Sequence, residues 1–203
     1  ICVGMPGDDC DRLDLPLMVA SRENNECMYT AFTVTADLAE GTTTGISAAD
    51  RAATLRALAS PASTPGLFKR PGHIFPLRAR PGGVVVRPGH TEAAVDIASL
   101  AGLHPSGVIC EIMNDDGSMA RLPDLQIFAA THGLKIGTIA DLIEYRSANE
   151  SLVKRVGSRT IQTPQGAFVA HAFQDSTGGN VHLALVNGEW SPDEIIPVRV
   201  HEP

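Results

Sequence analysis

The sequence predicts an α/β fold of the α+β type: a mixed sheet flanked by helices, followed by a small antiparallel β segment. Short apolar runs alternate with helical patterns up to residue 146, which is typical of an α/β domain. From about residue 151, strand-like runs are separated by turns and carry no helical period. Hydrophobic residues make up 43% of the 203 residues, as in an ordinary globular core.

In the first half, residues 1–5 read as a short strand that enters a turn at residues 6–11. Residues 29–35 are predicted to form a strand, because β-branched and aromatic residues alternate there. Ser47 has the position of a helix cap, and the helix that follows runs to Leu58 with an apolar stripe facing inward.

In the second half, residues 107–112 predict a buried strand with Glu111 near its end. Burying a lone carboxylate is costly, so we expect Glu111 to be paired, metal-bound or catalytic. Helices are predicted at residues 122–132 and 140–146, with a strand at 134–139 between them. Three further strands are predicted at residues 160–164, 166–173 and 181–186.

Charge and cysteine content narrow the classes of partner. The formal net charge is -7 and the pI is about 5.4, which argues against a nucleic-acid surface and favours a small-molecule partner. The cysteines lack zinc-knuckle spacing, so we expect free thiols in a reducing, cytoplasmic compartment. No stretch has transmembrane length or the form of a signal peptide. Because the chain begins inside a predicted strand, we expect a further segment to precede it.

The tetrapeptide Arg-Pro-Gly-His occurs twice, at residues 70–73 and 87–90. Each Pro-Gly pair predicts a turn with a histidine at its exit. Residues 73–78 and 83–86 read as short apolar strands between the turns. A single copy would be an ordinary surface turn, whereas two in tandem favour a functional site at strand ends.

The second copy offers the richer chemistry. Arg87 supplies a guanidinium, Gly89 permits close backbone approach, and His90 and Thr91 add an imidazole and a hydroxyl. A helix predicted at residues 92–102 puts Thr91 near a helix N-terminus, where anions are favoured. This loop suits a phosphorylated or carboxylated substrate.

Six segments in order resemble 3,4-dihydroxy-2-butanone 4-phosphate synthase of riboflavin biosynthesis. They are TAFTVTADL (30–38), GTTTGISAADR (41–51), KRPGHIFPLRA (69–79), GGVVVRPGHTEAAVDIASLAG (82–102), GVICEIMNDDGSMAR (107–121) and TIADLIEYR (138–146). The segments HLALV (182–186) and VRVH (198–201) resemble the opening strands of GTP cyclohydrolase II. We therefore expect a synthase domain at residues 1–148 and a linker with the start of a cyclohydrolase-like module at residues 149–203.

The resemblance implies a lyase that forms 3,4-dihydroxy-2-butanone 4-phosphate and formate from D-ribulose 5-phosphate, with Mg2+ or Mn2+. It implies that His73 and Glu111 are catalytic and that His90 binds the metal. It also implies substrate binding by a set that includes Glu111 and the second motif: Arg87, Pro88, Gly89, His90 and Thr91. A homodimer with active sites at the subunit interface is implied as well.

Three residues resemble positions near the family's pocket: Cys2, Thr30 and Asp50. For Asp50, helix capping is the better interpretation. Proton transfer by an imidazole and a carboxylate, next to a cation that polarises the sugar, is consistent with this chemistry.

Two departures from the family pattern leave alternatives open. The family's acidic metal-binding signature lies N-terminal to the start of this chain, and His90 alone would hold a hard cation poorly. Without that segment, we expect inactivity. The cyclohydrolase's three zinc-binding cysteines follow residue 201, and no cysteine follows Cys110, so no zinc is expected in these residues. The alternatives are a regulatory relative that binds sugar phosphate or a pathway partner, and a sugar-phosphate isomerase or aldolase.

Overall fold

The computed structural model describes residues 1–175, 179–191 and 193–201. The chain forms two compact units, Ile1–Glu150 and Ser151–Pro203. The first unit holds a mixed four-stranded sheet with helices, and the second holds a three-stranded antiparallel sheet. This is the predicted fold class, which is confirmed.

The four strands of the first sheet are arranged in the order β2-β3-β1-β4. Their bounds are β1 (Cys2–Met5), β2 (Ala36–Leu38), β3 (Phe68–Arg78) and β4 (Gly107–Ile109). β1 runs parallel to β3 and antiparallel to β4, and β2 runs antiparallel to β3. β3 and β1 therefore lie at the centre of the sheet, and the three-residue strands β2 and β4 lie at its edges.

Five α-helices belong to the first unit: α1 (Gly7–Arg12), α2 (Ala48–Leu58), α3 (His90–Leu100), α4 (Leu122–His132) and α5 (Ile139–Asn149). The predicted α2 is confirmed, since the Ser47 side chain accepts a hydrogen bond from the amide of Asp50. The predicted bounds of α4 are also confirmed. Among the described residues, no helix combines the length and hydropathy that crossing a bilayer requires.

The two faces of the first sheet are covered differently. Val3, Met5 and Ile74 are fully buried on one face, where they pack with Leu13 and Leu58 in the hydrophobic core. Burial of such side chains contributes about 1.5–3 kcal/mol each. The opposite face carries α3 over part of its surface, and the remainder of that face is open.

Two paired glycines allow α3 to lie directly on the sheet. Gly4 of β1 pairs with Gly107 of β4. A Cβ atom on Gly4 would lie 2.7 Å from the carbonyl oxygen of Thr91, and one on Gly107 would lie 2.7 Å from the Cβ of Ala94. Both distances are shorter than van der Waals contact, so the position of the α3 N-terminus depends on both glycines.

The second unit consists of β5 (Val153–Thr163), β6 (Gly166–Asp175) and β7 (Val181–Val186). β6 pairs with both neighbours in antiparallel register. The three predicted strands are confirmed, although β5 begins well before the predicted residue 160.

Two predictions near the N-terminus were wrong. Residues 6–11 do not form a simple turn, because α1 begins at Gly7 and the amide of Cys10 donates to the carbonyl of Pro6. Residues 29–35 do not form a strand. Only single bridges occur, at Phe32 and Thr33, because the chain turns at Tyr29, whose φ is 51°, and continuous pairing begins at Ala36.

The Arg-Pro-Gly-His stretch also differs from prediction. The first Pro-Gly pair is not a turn: it lies inside β3, at an irregularity where residues 70–73 have no partners on β2. The predicted strand at residues 83–86 is a short 3₁₀ helix, Gly83–Val85. Positive φ angles at Gly82 and Gly83 and a hydrogen bond from the amide of Val84 to Asp96 fix that turn.

Predictions for residues 107–112 and 134–139 need correction. β4 ends at Ile109 and is an edge strand that pairs only with β1 in the described sheet, so Val108 is 57% exposed. Glu111 is exposed and not buried in a strand. Residues 134–138 form no strand; Leu134 and Ile136 are exposed, since no neighbouring strand is available to pair with them.

Candidate active site

Strand register brings two predicted catalytic residues to one end of the sheet. Cys2 of β1 pairs with Phe75 of β3 and with Ile109 of β4. His73 precedes Phe75 by two residues along the parallel strand, and Glu111 follows Ile109 by two along the antiparallel one. Both therefore lie beyond the same end of β1, where β3 and β4 are two strand spacings, roughly 10 Å, apart.

His73 lies on the open face of the sheet. Along β3, Ile74 and Pro76 are buried, whereas His73 and Phe75 are exposed. Side chains on a strand alternate between faces, so His73 and Phe75 share the face opposite the core. This face is accessible to a small molecule.

Glu111 lies near Cys2 on the same side of the sheet. Burial raises the pKa of Cys2, and the Glu111 carboxylate and Cys110 raise it further. The carbonyl of Glu111 accepts a hydrogen bond from the Cys110 thiol, but its carboxylate has no hydrogen bond or ion pair within the described residues. Its carboxylate is thus available to a ligand.

His90 borders the same region from the side of α3. It is the first residue of that helix, is exposed, and lines an apolar groove between α3 and β4. Ile97, Val108 and Cys110 also line the groove. Since Cys110 precedes Glu111 in the chain, the groove extends from His90 to the segment that carries Glu111.

The His73 ring is held by a buried carboxylate that the sequence analysis did not identify. His73 Nδ1 lies 2.6 Å from Asp37 Oδ2, and the His73 amide donates to Asp37 Oδ1 at 2.8 Å. Asp37 is only 8% exposed. The sequence does hold a signal for this residue, because Thr33, Thr35 and Asp37 form a polar alternation that continues into β2.

A glycine-containing loop packs against the Asp37–His73 pair. Asp50 Oδ2 accepts hydrogen bonds from the Thr43 hydroxyl at 2.7 Å and from the amides of Thr43 and Gly45 at 3.1 Å. The Thr43 hydroxyl is the largest cause of the lowered pKa of Asp50. A Cβ on Gly45, whose φ is 84°, would collide with Asp37 and lie 2.8 Å from His73 Nδ1. Asp50 therefore holds this loop, while the side chain that caps α2 is that of Ser47 and not, as expected, that of Asp50.

The second motif is organised around a buried ion pair. Arg87 Nη1 donates to Glu92 Oε2 at 2.6 Å, and Nη2 lies 3.2 Å from both the Met28 carbonyl and the Thr30 hydroxyl. A Cβ on Gly89 would collide with Arg87 and Glu92. Glu92, like Asp37, was missed in the sequence because it reads as a solvent-facing residue of the helix.

The other residues of the second motif differ in their exposure to solvent. Pro88 and His90 are exposed, whereas Thr91 is 5% exposed and contacts β1 through its carbonyl. Three of the guanidinium N–H groups of Arg87 are used by protein partners, and an arginine has five. Two donors remain for a ligand.

The loop that Arg87 contacts is itself fixed by Glu26. The Glu26 carboxylate accepts from the Thr30 amide at 2.8 Å and from the Met28 amide at 3.1 Å. The Thr30 amide, the Cys27 thiol and the Met28 amide lower the pKa of Glu26 to about 2. Thr30 is thereby held where its hydroxyl meets Arg87.

The described residues do not form a magnesium site by themselves. No group of three or more His, Cys, Asp or Glu side chains with metal-binding geometry occurs among them. The groove beside His90 offers apolar side chains and the thiol of Cys110, whereas Mg2+ requires oxygen ligands in near-octahedral geometry. His90 and these neighbours therefore do not complete the coordination of that ion, and further oxygen ligands are needed.

Two family models together match most of the chain. Residues 1–145 match the family model described as 3,4-dihydroxy-2-butanone 4-phosphate synthase, and residues 154–203 match that of GTP cyclohydrolase II.

Two named relatives match nearly the whole chain. A Neisseria meningitidis serogroup B protein named 3,4-dihydroxy-2-butanone 4-phosphate synthase is 54% identical over 203 residues, which cover 100% of this chain and 55% of that protein. Riboflavin biosynthesis protein RibBA of Aquifex aeolicus is 52% identical over 201 residues, which cover 99% of this chain and 50% of that protein. The chain thus spans about half the length of these curated relatives.

Solved structures agree with this assignment. RibBX of A. baumannii, described as a two-domain 3,4-dihydroxy-2-butanone 4-phosphate synthase, has a TM-score of 0.77 and 50% identity, covering 93% of this chain and 55% of that one. A synthase in complex with two magnesium ions has a TM-score of 0.67 and 40% identity, covering 73% of both chains. The chain therefore belongs to the 3,4-dihydroxy-2-butanone 4-phosphate synthase family.

Proposed function

We propose that the full-length protein is a lyase that converts D-ribulose 5-phosphate to 3,4-dihydroxy-2-butanone 4-phosphate and formate. The observation that carries this proposal is the open sheet end, where the strand register puts His73 and Glu111 beyond the same end of β1, next to the groove of His90. The names of the relatives support the same reaction.

In this proposal, His73 and Glu111 move protons. The rearrangement of a ketose requires removal of a proton next to a carbonyl and its return elsewhere, for which an imidazole and a carboxylate are suited. Nδ1 of His73 contacts Asp37, which leaves Nε2 for a substrate, and Glu111 is exposed with no partner for its carboxylate in the described part of the chain.

The loop from Arg87 to Thr91 binds the substrate in this proposal. Arg87 retains two free N–H donors after its contacts with Glu92, Met28 and Thr30. Pro88 and Gly89 shape the loop, and His90 exposes its imidazole at the start of α3, where an anionic group is favoured. Thr91 contributes mainly through its backbone contact with Gly4.

We further propose dependence on Mg2+ or Mn2+, with His90 as one ligand. The support comes from the relative solved with two magnesium ions and from the family resemblance. Since the groove of His90 lacks oxygen donors in sufficient number, the remaining ligands have to come from substrate, water or carboxylates outside this groove.

A homodimer is the proposed assembly. Ile97, Leu103 and Val108 surround the groove of His90 and are each more than half exposed. Clustered apolar side chains of this kind are typical of protein interfaces. A second copy of the chain would cover them and enclose the open sheet end.

Formate release from D-ribulose 5-phosphate tests the reaction. The full-length protein is assayed with added Mg2+ and after chelation, together with two variants. Glu111→Gln should abolish release, while Asp115→Asn, which changes an exposed carboxylate in the following turn, should not. No formate from the folded protein would favour a relative that only binds sugar phosphate, and a new sugar phosphate without formate would favour an isomerase or aldolase.

A further inference from the structure

The guanidinium of Arg87 is fixed at two of its nitrogens by two different parts of the chain. Nη1 donates to the buried carboxylate of Glu92 at 2.6 Å. Nη2 lies 3.2 Å from the Met28 carbonyl and 3.2 Å from the Thr30 hydroxyl. A contact at Nη1 alone would leave the planar group free to pivot about that bond, whereas contacts at both nitrogens set its plane. Met28 and Thr30 therefore decide the direction of the N–H groups that remain for a ligand.

The two contacts at Nη2 come from a surface loop, residues 24–30. None of these residues belongs to a helix or a strand. Met28 and Thr30 precede Arg87 by 59 and 57 residues, so no helical turn or strand pairing fixes their distance from it. The conformation of the loop depends instead on hydrogen bonds that the loop makes within itself.

The carboxylate of Glu26 accepts three of those hydrogen bonds. Oε2 accepts from the Thr30 amide at 2.8 Å, and Oε1 accepts from the Cys27 thiol and the Met28 amide at 3.1 Å. These donors lower the pKa of Glu26 to about 2, so the carboxylate is ionised at neutral pH and can accept from all of them. Both residues that contact Arg87 are thus bound through their own amides to one side chain.

The backbone between these two residues is strained and held in place. Tyr29 has a φ of 51°, and a residue other than glycine keeps this left-handed conformation only when its surroundings hold it. The Tyr29 amide donates to the Glu26 carbonyl at 2.9 Å, while the Glu26 side chain binds the residue on either side. The Asn24 side chain donates to the Thr30 carbonyl at 2.9 Å, which fixes Thr30 from its other end.

We propose that Glu26 is a positioning residue for Arg87: it holds the loop whose contacts direct the remaining guanidinium N–H groups towards an anionic group of the substrate. This rests on the proposed function, in which Arg87 binds the substrate. In this role Glu26 does not contact the substrate. An arginine that is already ordered loses less conformational entropy on binding, so loss of Glu26 should weaken binding and leave the chemical step unchanged.

Kinetics of formate release by the full-length protein test this role. Glu26→Ala removes the acceptor of both loop amides. We expect KM for D-ribulose 5-phosphate to rise about tenfold, the effect of losing about one hydrogen bond to a charged group, while kcat stays within about twofold. Glu26→Gln keeps one acceptor oxygen, so its KM should lie between those of the parent and Glu26→Ala. A lower kcat with an unchanged KM in Glu26→Ala would overturn the proposal.

Glu23→Ala is the matched control. It makes the same change three residues earlier, where the carboxylate is 62% exposed and lies 3.5 Å from Arg22. An exposed pair of this kind contributes little, so KM and kcat should both stay within about twofold of the parent. An equal rise of KM in Glu23→Ala and Glu26→Ala would trace the effect to the lost negative charge and overturn the positioning role.

Binding of inorganic phosphate to the full-length protein, followed by phosphorus-31 NMR, supplies a readout that does not depend on catalysis. Affinity should fall about tenfold in Glu26→Ala, and it should also fall in Arg87→Lys, which lacks the planar fork. Unchanged phosphate affinity in either variant would overturn the inference. Loss of affinity in both variants of a protein that releases no formate would overturn the proposed reaction and uphold the role of Glu26.

Discussion

Arg87 and Glu92 form an ion pair in which Nη1 lies 2.6 Å from Oε2 while the side chains are 19% and 1% exposed. Glu92 also accepts from the amide of Arg80 at 2.9 Å. The pair therefore joins the loop before α3 to the first turn of that helix. The pair connects the proposed substrate loop to the core. Arg87 therefore stabilises the fold in addition to its proposed role in substrate binding.

Glu92→Gln should lower the free energy of unfolding by about 2 kcal/mol or more, because it leaves the Arg87 guanidinium with little solvent and no counter-charge. Urea unfolding of the full-length protein measures the change. Glu23→Gln is the control, since its pair with Arg22 spans 3.5 Å with side chains 62% and 87% exposed. It should cost less than about 0.5 kcal/mol, and similar losses in both variants would contradict the importance of the buried pair.

Gly72→Ala should destabilise the protein by about 2 kcal/mol or more, because the added Cβ meets the backbone of Ala36 and Asp37. Displacement of β2 should also disturb His73, so kcat should fall with stability. Gly66→Ala serves for comparison, since no atom lies within 4 Å of a Cβ there. Calorimetric melting of the two variants measures the difference, and an unchanged melting temperature for Gly72→Ala would refute the close approach of β2 and β3.

The Glu26 carboxyl should titrate with a pKa of about 2, well below the ordinary glutamate value of 4.5, because the Thr30 amide, the Cys27 thiol and the Met28 amide stabilise its charged form. A depressed folded-state pKa contributes stability above pH 4.5, and this contribution is lost as the pH falls from 4.5 towards 2. Carbon-13 NMR titration measures the pKa directly. Unfolding curves of Glu26→Gln and the parent should converge at acid pH, and a constant difference at every pH would contradict this prediction.

Removal of His90 should weaken metal-dependent binding more than removal of His73. His90 is exposed at the groove between α3 and β4, whereas His73 Nδ1 is already occupied by Asp37. Titration of Mn2+ in the presence of D-ribulose 5-phosphate, followed by electron paramagnetic resonance, compares His90→Ala with His73→Ala. Equal metal affinities in the two variants would count against the assignment of His90 as the ligand.

Ile97→Glu should convert the protein to a monomer if the groove face is the contact between two copies. Ile97 is 58% exposed on α3 in the single chain, so the substitution should leave the protomer folded while placing a charge in the interface. Analytical ultracentrifugation measures the association. Leu67→Glu, at a site 43% exposed before β3, is the control, and a dimer that persists in Ile97→Glu would remove this face from the proposal.

Local patterns in the sequence predicted the elements whose formation depends on neighbours in the chain. Ser47 caps α2 as expected, and the strands around the Thr163–Gly166 turn pair as expected. Predictions failed where a distant partner decides the structure. Residues 134–139 have strand-like composition but no strand to pair with, and Gly83–Val85 turns because Asp96, on the next helix, binds the Val84 amide.

The residues of the candidate site also divide into those that a local sequence pattern identifies and those that only the folded structure identifies. The histidines His73 and His90 stand out in the sequence because their motif repeats. Asp37 and Glu92 carry no such signal, since single carboxylates in a chain usually face solvent. Their burial follows from contacts across 36 residues and from the packing of α3. The alternation of Thr33, Thr35 and Asp37 indicates an extended segment but does not predict that Asp37 is buried.

The irregularity at residues 70–73 separates two registers within β3. Phe68 and Lys69 take their alignment from β2, whereas the stretch from Phe75 onwards is aligned by β1. A one-residue insertion between Ile74 and Leu77 would therefore reverse the faces of the residues beyond it. Among related chains, we expect insertions and deletions to be excluded from the second half of β3, whose register with β1 decides which residues enter the core.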